Sequence, residues 1–386
     1  MWEFWRKHKR KVYVTLGVFG SGYLLYKIYD ARRRRLCDLE TQLSAERESE
    51  ELIKTQIQAH FESVQIIADS TTLPHVMQFL ENQINENLDL THLTERLIQG
   101  KGHPNTLTAS EKLELWDRLK ILSFTKMLSS IWAVTMLSLY IRVQVNILGR
   151  HLYIDTARGL ESSQLLEEAE LIDKNDERQF LACADYLSHS GLVGLIPLVE
   201  AATVEVLKGF CHCKGLKNVK IQSFSRKQLK DFFDDSVLYD TLIHIVETLM
   251  VMGNPHHWVG YLMPEVAGDY RTLASSSGSG SDLLHNTKFE LLMEETRAVL
   301  SSGEFANVVD ISLRRLVHEV SNDMVIECGE NNLKSGMALA RLIPRIARRG
   351  QLLLAEPNRS RYIHIIRSIP EVELFFTLLY STTLVS

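Results

Sequence analysis

The chain lacks the signatures of the common catalytic sites. GLVGL at 191–195 has no serine between its glycines, so there is no nucleophile elbow. GSGSD at 278–282 lacks the Gly-Lys-Ser/Thr ending of a phosphate loop and follows no strand signal, so it reads as linker. Cys211, His212 and Cys213 make half a zinc site without a second ligand pair at workable spacing, and His256 and His257 follow Asn254 and Pro255 as a turn would. Glu167 with Glu168, and Asp234 with Asp235, sit in charged helical contexts that read as solvated faces rather than acid–base pairs. We therefore expect no metal, no cofactor and no catalysis, although absent motifs leave open an enzyme whose residues converge only in the fold. Five cysteines, an odd and scattered set, exclude a disulfide framework and place the body in a reducing compartment such as the cytosol. Period-two alternation is rare and brief, and no repeat recurs at solenoid periods.

Hydrophobic content of 45% and charged content of 24% are those of a globular protein, and 386 residues suffice for one large or two ordinary domains. The net charge of −5 hides an asymmetry: the first 35 residues are strongly basic and the remainder acidic. An acidic body argues against nucleic acid. The basic start suits anionic lipid headgroups.

Residues 12–29 read VYVTLGVFGSGYLLYKIY, between Arg6, Lys7, Lys9, Arg10 and Lys11 on one side and Lys27 and Arg32 to Arg35 on the other. The run is at the short end of the roughly 17 to 25 residues that cross a bilayer. Trp5 and four tyrosines near its ends form an interfacial belt, and Gly17, Gly20 and Gly22 admit a close neighbouring helix. A cleaved signal needs a small-residue cleavage site where this chain has four arginines, and a solvated amphipathic helix is the remaining alternative. We expect a retained anchor. Charge does not orient it, because both flanks are basic.

The rest reads as helix. An amphipathic helix is predicted over 37–66, one or two more over 74–99 with a polar break near Asn85 to Asp89, and a loop at GKGHPNT, 100–106. Thr108 and Glu111 have capping-box spacing, and a helix without proline or glycine is predicted from about 109 to about 148. Its charge-free part, 127–141, is either the buried centre of a bundle or membrane-associated. Further helices are predicted near 163–189, 191–210, 226–250, 282–301, 304–322, 333–349 and 370–380, with a flexible loop at 274–281. The expected fold is an elongated all-α bundle with a long central helix, organised as an anchor over 1–40 and a helical body over 41–386.

Residues 113–155 also resemble the peroxin-3 family. The matching positions are Leu113, Trp116, Leu119, Lys120, Ser123, Phe124, Thr125, Arg142, Val143, Gln144, Asn146, Ile147, Tyr153 and Asp155. Tyr261 to Pro264 and Ala340 to Pro344 match more weakly, and the details resemble a plant member. The resemblance implies an integral peroxisomal membrane protein with a lumenal N-terminus and a cytosolic domain, with transit through the endoplasmic reticulum left open. It implies a docking receptor for the cargo-carrying chaperone peroxin-19, whose amphipathic helix would enter a groove. By the same resemblance the contacts fall on Trp116, Lys112, Ile98 or Leu97, and Arg341. From sequence alone Trp116 reads first as a core aromatic, and only the resemblance turns it toward binding; Trp132 and Trp258 stay core aromatics in any case. The rival functions are an organelle tether and a membrane-bound hydrolase.

Overall fold

The computed structural model describes residues 73–102, 107–161, 174–208, 228–252, 256–264, 286–329, 333–356 and 358–381, with isolated residues before 73. The chain falls into two compact units, Met1–Glu62 and Ser63–Ser386. In the first, the isolated described residues, Arg32 and Arg33 among them, are helical and exposed. The apolar run at 12–29, residues 209–227 with Cys211, His212 and Cys213, and the 274–281 loop lie outside the described residues.

The second unit is almost entirely helical. Its elements are α1 (Leu73–Asn87), α2 (Thr91–Gly102), α3 (Ala109–Glu161), α4 (Lys174–Ala182), α5 (Leu192–Lys208), α6 (Asp235–Met252), α7 (Trp258–Leu262), α8 (Asn286–Leu300), α9 (Gly303–Cys328), α10 (Leu339–Leu352), α11 (Asn358–Arg367) and α12 (Pro370–Ser381). The polar break at 85–89 is present between α1 and α2. Of the loop expected at 100–106, residues 100–102 are instead the end of α2, and 103–106 lie outside the described residues. One two-residue ribbon pairs Phe232 with Ala338 and Phe233 with Met337, antiparallel. A short helix at 258–262 and another at 358–367 add to those expected, and the strand residues 232–233 and 337–338 replace helix at two predicted starts.

The long central helix is α3. Its 53 residues span about 80 Å at 1.5 Å per residue. Every residue from Ser123 to Arg150 is buried. Helices α1, α2, α4, α5 and α8 to α12 all pack against it, and α6 forms an outer layer on α5 and α9. The charge-free stretch 127–141 is thus the middle of a protein core, and its apolarity is explained by packing. The second stretch apolar and long enough to cross a membrane, within 176–208, is half covered.

Several polar groups on the buried part of α3 close onto neighbours or onto the preceding turn. Ser123, Ser130 and Thr135 each donate to the carbonyl four residues back, at 2.7, 2.9 and 2.9 Å. Gln144 Nε2 donates to Phe180 O at 2.6 Å, Arg150 Nη1 to Leu379 O at 3.0 Å, and the Arg142 guanidinium lies 4.3 Å from the Phe376 ring centre. Arg150 also pairs with Glu295. Such bonds are costly to leave unmade in a core, so those of Gln144 and Arg150 help to fix α4, α12 and α8 against α3. Close backbone approach does the same for α10: a Cβ on Gly350 would stand 2.8 Å from Met127 Cα.

Candidate docking site

The α2–α3 corner is built from its caps. Thr108 donates its backbone N–H and its hydroxyl to Glu111 Oε2, at 2.7 and 2.8 Å, and the Glu111 N–H returns a bond to Thr108 Oγ1 at 3.2 Å. The N–H bond first, and then the hydroxyl, holds the Glu111 carboxyl below its ordinary range. At the end of α2, Gly100 is buried beneath Leu107, where a Cβ would stand 2.5 Å from Leu107 Cδ1 and 3.5 Å from Lys112 Cε. The glycine lets the turn fold flat on the helix end.

This closure presents the first turns of α3. Lys112, Leu113 and Trp116 lie at i, i+1 and i+4, so Leu113 and Lys112 flank Trp116 on one face. Leu113 is 55% exposed, while Trp116 and Lys112 are half-buried. Opposite them on α2, Ile98 is 69% exposed and Leu97 half-buried. Next to the corner, Arg118 pairs with Glu200 of α5, and Lys120 Nζ donates to Asp117 at 2.9 Å. An exposed apolar patch with an aromatic centre and one lysine is what the apolar face of a partner helix needs.

Of the expected contact residues, Trp116 and Lys112 lie on the first turns of α3 and Leu97 and Ile98 near the end of α2, the helix end that Gly100 brings to Lys112. Arg341 is exposed on α10, which meets α3 at Met127, further along the helix than Trp116. Leu113 was legible as part of the matching segment but not as a surface residue; its signal was the three-residue spacing from Trp116. Of the targeting residues, Arg32 and Arg33 are described, and Arg6, Lys7, Lys9, Arg10, Lys11, Gly17, Gly20 and Gly22 lie outside the described residues.

The matching segment divides cleanly by exposure. Leu119, Lys120, Ser123, Phe124, Thr125, Arg142, Val143, Gln144, Asn146 and Ile147 are buried. Of the matching positions with described side chains, only Leu113 and Trp116 reach solvent. Trp132 is 1% exposed, and Trp258 is buried with its Nε1 donating to Leu300 O at 2.9 Å, so both are core aromatics. Tyr261 packs edge-on to Trp132 at 6.1 Å, and its carbonyl abuts Gly191, so the weaker match at 261–264 is also a packing element.

Nucleophile chemistry finds little support. Ser188 Oγ lies 3.3 Å from His189 Nδ1, but it is buried in a π-turn at Leu187–Gly191 and donates to Asp185 O at 2.8 Å. Burial pushes the Cys183 thiol up to about 12, far from a thiolate. Asp234 Oδ1 accepts from the Val237 N–H at 2.8 Å, so one of the paired carboxylates serves as a helix cap.

Comparison with known proteins agrees with this layout. The Peroxin-3 family model matches residues 101–382. Peroxisome biogenesis protein 3-2 of Arabidopsis thaliana is 51% identical over 98% of this chain and 97% of its own length, and protein 3-1 is 49% identical with the same coverage. Peroxisomal biogenesis factor 3 of Homo sapiens is 25% identical over 98% of this chain and 96% of its own. These relatives are named as biogenesis factors rather than as enzymes. The match runs through the buried core of α3 and the exposed corner alike: this chain belongs to the peroxin-3 family, as a plant-type member.

Proposed function

We propose that this protein is a peroxisomal membrane receptor that docks peroxin-19 and so supports insertion of membrane proteins during peroxisome biogenesis. The observation that carries the reading is the α2–α3 corner. Among matching positions that are otherwise buried, Trp116 and Leu113 reach solvent at the start of α3, and Ile98 is exposed near the end of α2. A half-buried Trp ringed by aliphatics offers large contact area with few rotors to freeze, the usual make-up of an interface hot spot. Lys112 has no ion partner among the described residues and is free to meet a carboxylate or helix C-terminus on the partner. The basic, apolar N-terminal segment supplies the membrane hold, with the helical body in the cytosol and the N-terminus lumenal.

The test is calorimetric titration of the full-length protein, in nanodiscs, with the N-terminal segment of peroxin-19. Trp116→Ala weakens binding by about 2 kcal/mol or more. Unchanged affinity rules out the corner as the site.

A further inference from the structure

Seven described arginines of the second unit pair with acidic side chains. Arg118 meets Glu200, Arg150 meets Glu295, Arg314 meets Asp310 and Glu247, Arg315 meets Glu319, Arg349 meets Glu327, Arg359 meets Glu356, and Arg361 meets Asp323. Arg349 lies on α10, and the other three arginines of that helix differ from it. Arg341, Arg345 and Arg348 recur at i, i+4 and i+7 and so share one face. Arg341 and Arg348 are exposed, and none of the three has an acidic partner among the described residues. Arg345 goes further: its Nη1 is withdrawn from solvent without an acceptor among the described residues. The buried side of the same helix carries Leu339, Leu342, Ile343 and Ile346, so packing fixes which way the arginines face.

The setting makes this face unusual. Ten Lys or Arg but only two Asp or Glu occupy the first 35 residues, and the whole chain is −5, so the remainder is strongly acidic. A stripe of unpaired guanidinium groups on an acidic body is a local positive feature that orients an approaching anionic partner. Guanidinium forks match carboxylates two bonds at a time. Three of them, spread over about 10 Å of helix, match carboxylates spaced along a polypeptide. The function proposed above gives the body a polypeptide partner, so a carboxylate-rich peptide is the occupant assigned to this face.

We propose that the Arg341–Arg345–Arg348 face of α10 receives a carboxylate-rich segment of the docking partner and sets its association rate. This rests on the docking function proposed above, to which Arg341 already belongs; Arg345 and Arg348 extend it. The apolar corner then governs residence and the arginine face governs encounter.

Stopped-flow association of the full-length protein with full-length peroxin-19 tests this across a salt series. Arg345→Glu with Arg348→Glu lowers the association rate about tenfold at low ionic strength and flattens its salt dependence, with dissociation little changed. Arg345→Lys with Arg348→Lys retains most of the rate, and Arg178→Glu, the same charge change on α4, leaves it alone. If the double reversal leaves the rate and its salt dependence intact while Trp116→Ala still weakens binding, the arginine face is refuted and the corner stands. If neither variant alters binding, both readings fail. If the reversal instead abolishes binding to phosphatidylserine vesicles with partner kinetics unchanged, the face belongs to lipid and the proposal falls.

Discussion

Thr108 and Glu111 cap each other across the first turn of α3, each supplying the bond the other's backbone lacks. Because the folded state holds the Glu111 carboxyl below its ordinary range, this contribution is complete above the unfolded carboxylate value, about 4.3. It is lost as pH falls through the lower, folded value. Amide protection factors at Glu111 and Lys112, that is, rates corrected for the intrinsic pH dependence of exchange, should therefore be highest at neutral pH and fall in acid. Glu111→Gln should be less protected at neutral pH and lose that acid step.

Trp116 and Trp132 lie on one helix in opposite circumstances. Trp132→Ala removes a buried indole from the core and should destabilise by about 3–5 kcal/mol. Trp116→Ala vacates a half-exposed position, with a melting shift much smaller than that of Trp132→Ala. Denaturant melts alongside binding isotherms separate the two: one variant fails in stability, the other in affinity.

Glycine positions give a graded series. At Gly350 a methyl meets Met127 Cα and N at 2.8 and 2.9 Å, and backbone atoms do not step aside cheaply. Gly350→Ala should cost about 1–3 kcal/mol through separation of α10 from α3. Gly260, within α7, has nothing within 4 Å of such a methyl. Gly260→Ala should be neutral or stabilise by up to about 1 kcal/mol. Urea midpoints measure both.

Asp323 on α9 is buried and accepts from Arg361 Nη1 at 2.8 Å and from the Tyr362 hydroxyl at 2.5 Å, with Arg349 at 3.6 Å. Burial first, then that bond, pushes the Tyr362 hydroxyl up. Asp323→Asn leaves two cations without their shared carboxylate; with Arg361 about half exposed, the loss should be about 2–3 kcal/mol. Tyr362→Phe removes one bond and should cost about 1 kcal/mol. Reversal of that order in denaturant melts would show that the carboxylate is not the hub joining α9 to α10 and α11.

The capping box, the uninterrupted central helix and the break before α2 were legible because each rests on local chemistry. The loop expected from Gly100 was not, since that glycine serves the close seat of Leu107 rather than a turn. Helix α11 went unseen because its buried face at Arg359, Tyr362 and Ile366 is largely polar, which masks the apolar period. The ribbon was too short to show alternation. At the site, the resemblance singled out Trp116, while its exposure came from the fold. Arg345 and Arg348 look like any solvated basic run, and only the fold shows that they share one face with Arg341 while Arg349 of the same helix is paired.

The burial of α3 also dictates a timetable. Its core is closed by α8 to α12, whose last residues include Leu379, 229 positions beyond the Arg150 that binds it. Long-range closure of this kind is slow and comes late. A ribosome emitting this chain therefore releases an uncovered apolar helix long before its lid exists, and a chaperone must shield 127–141 until synthesis ends. A premature stop that removes only α12 would leave that helix open along one side, and should yield aggregates rather than a shortened receptor.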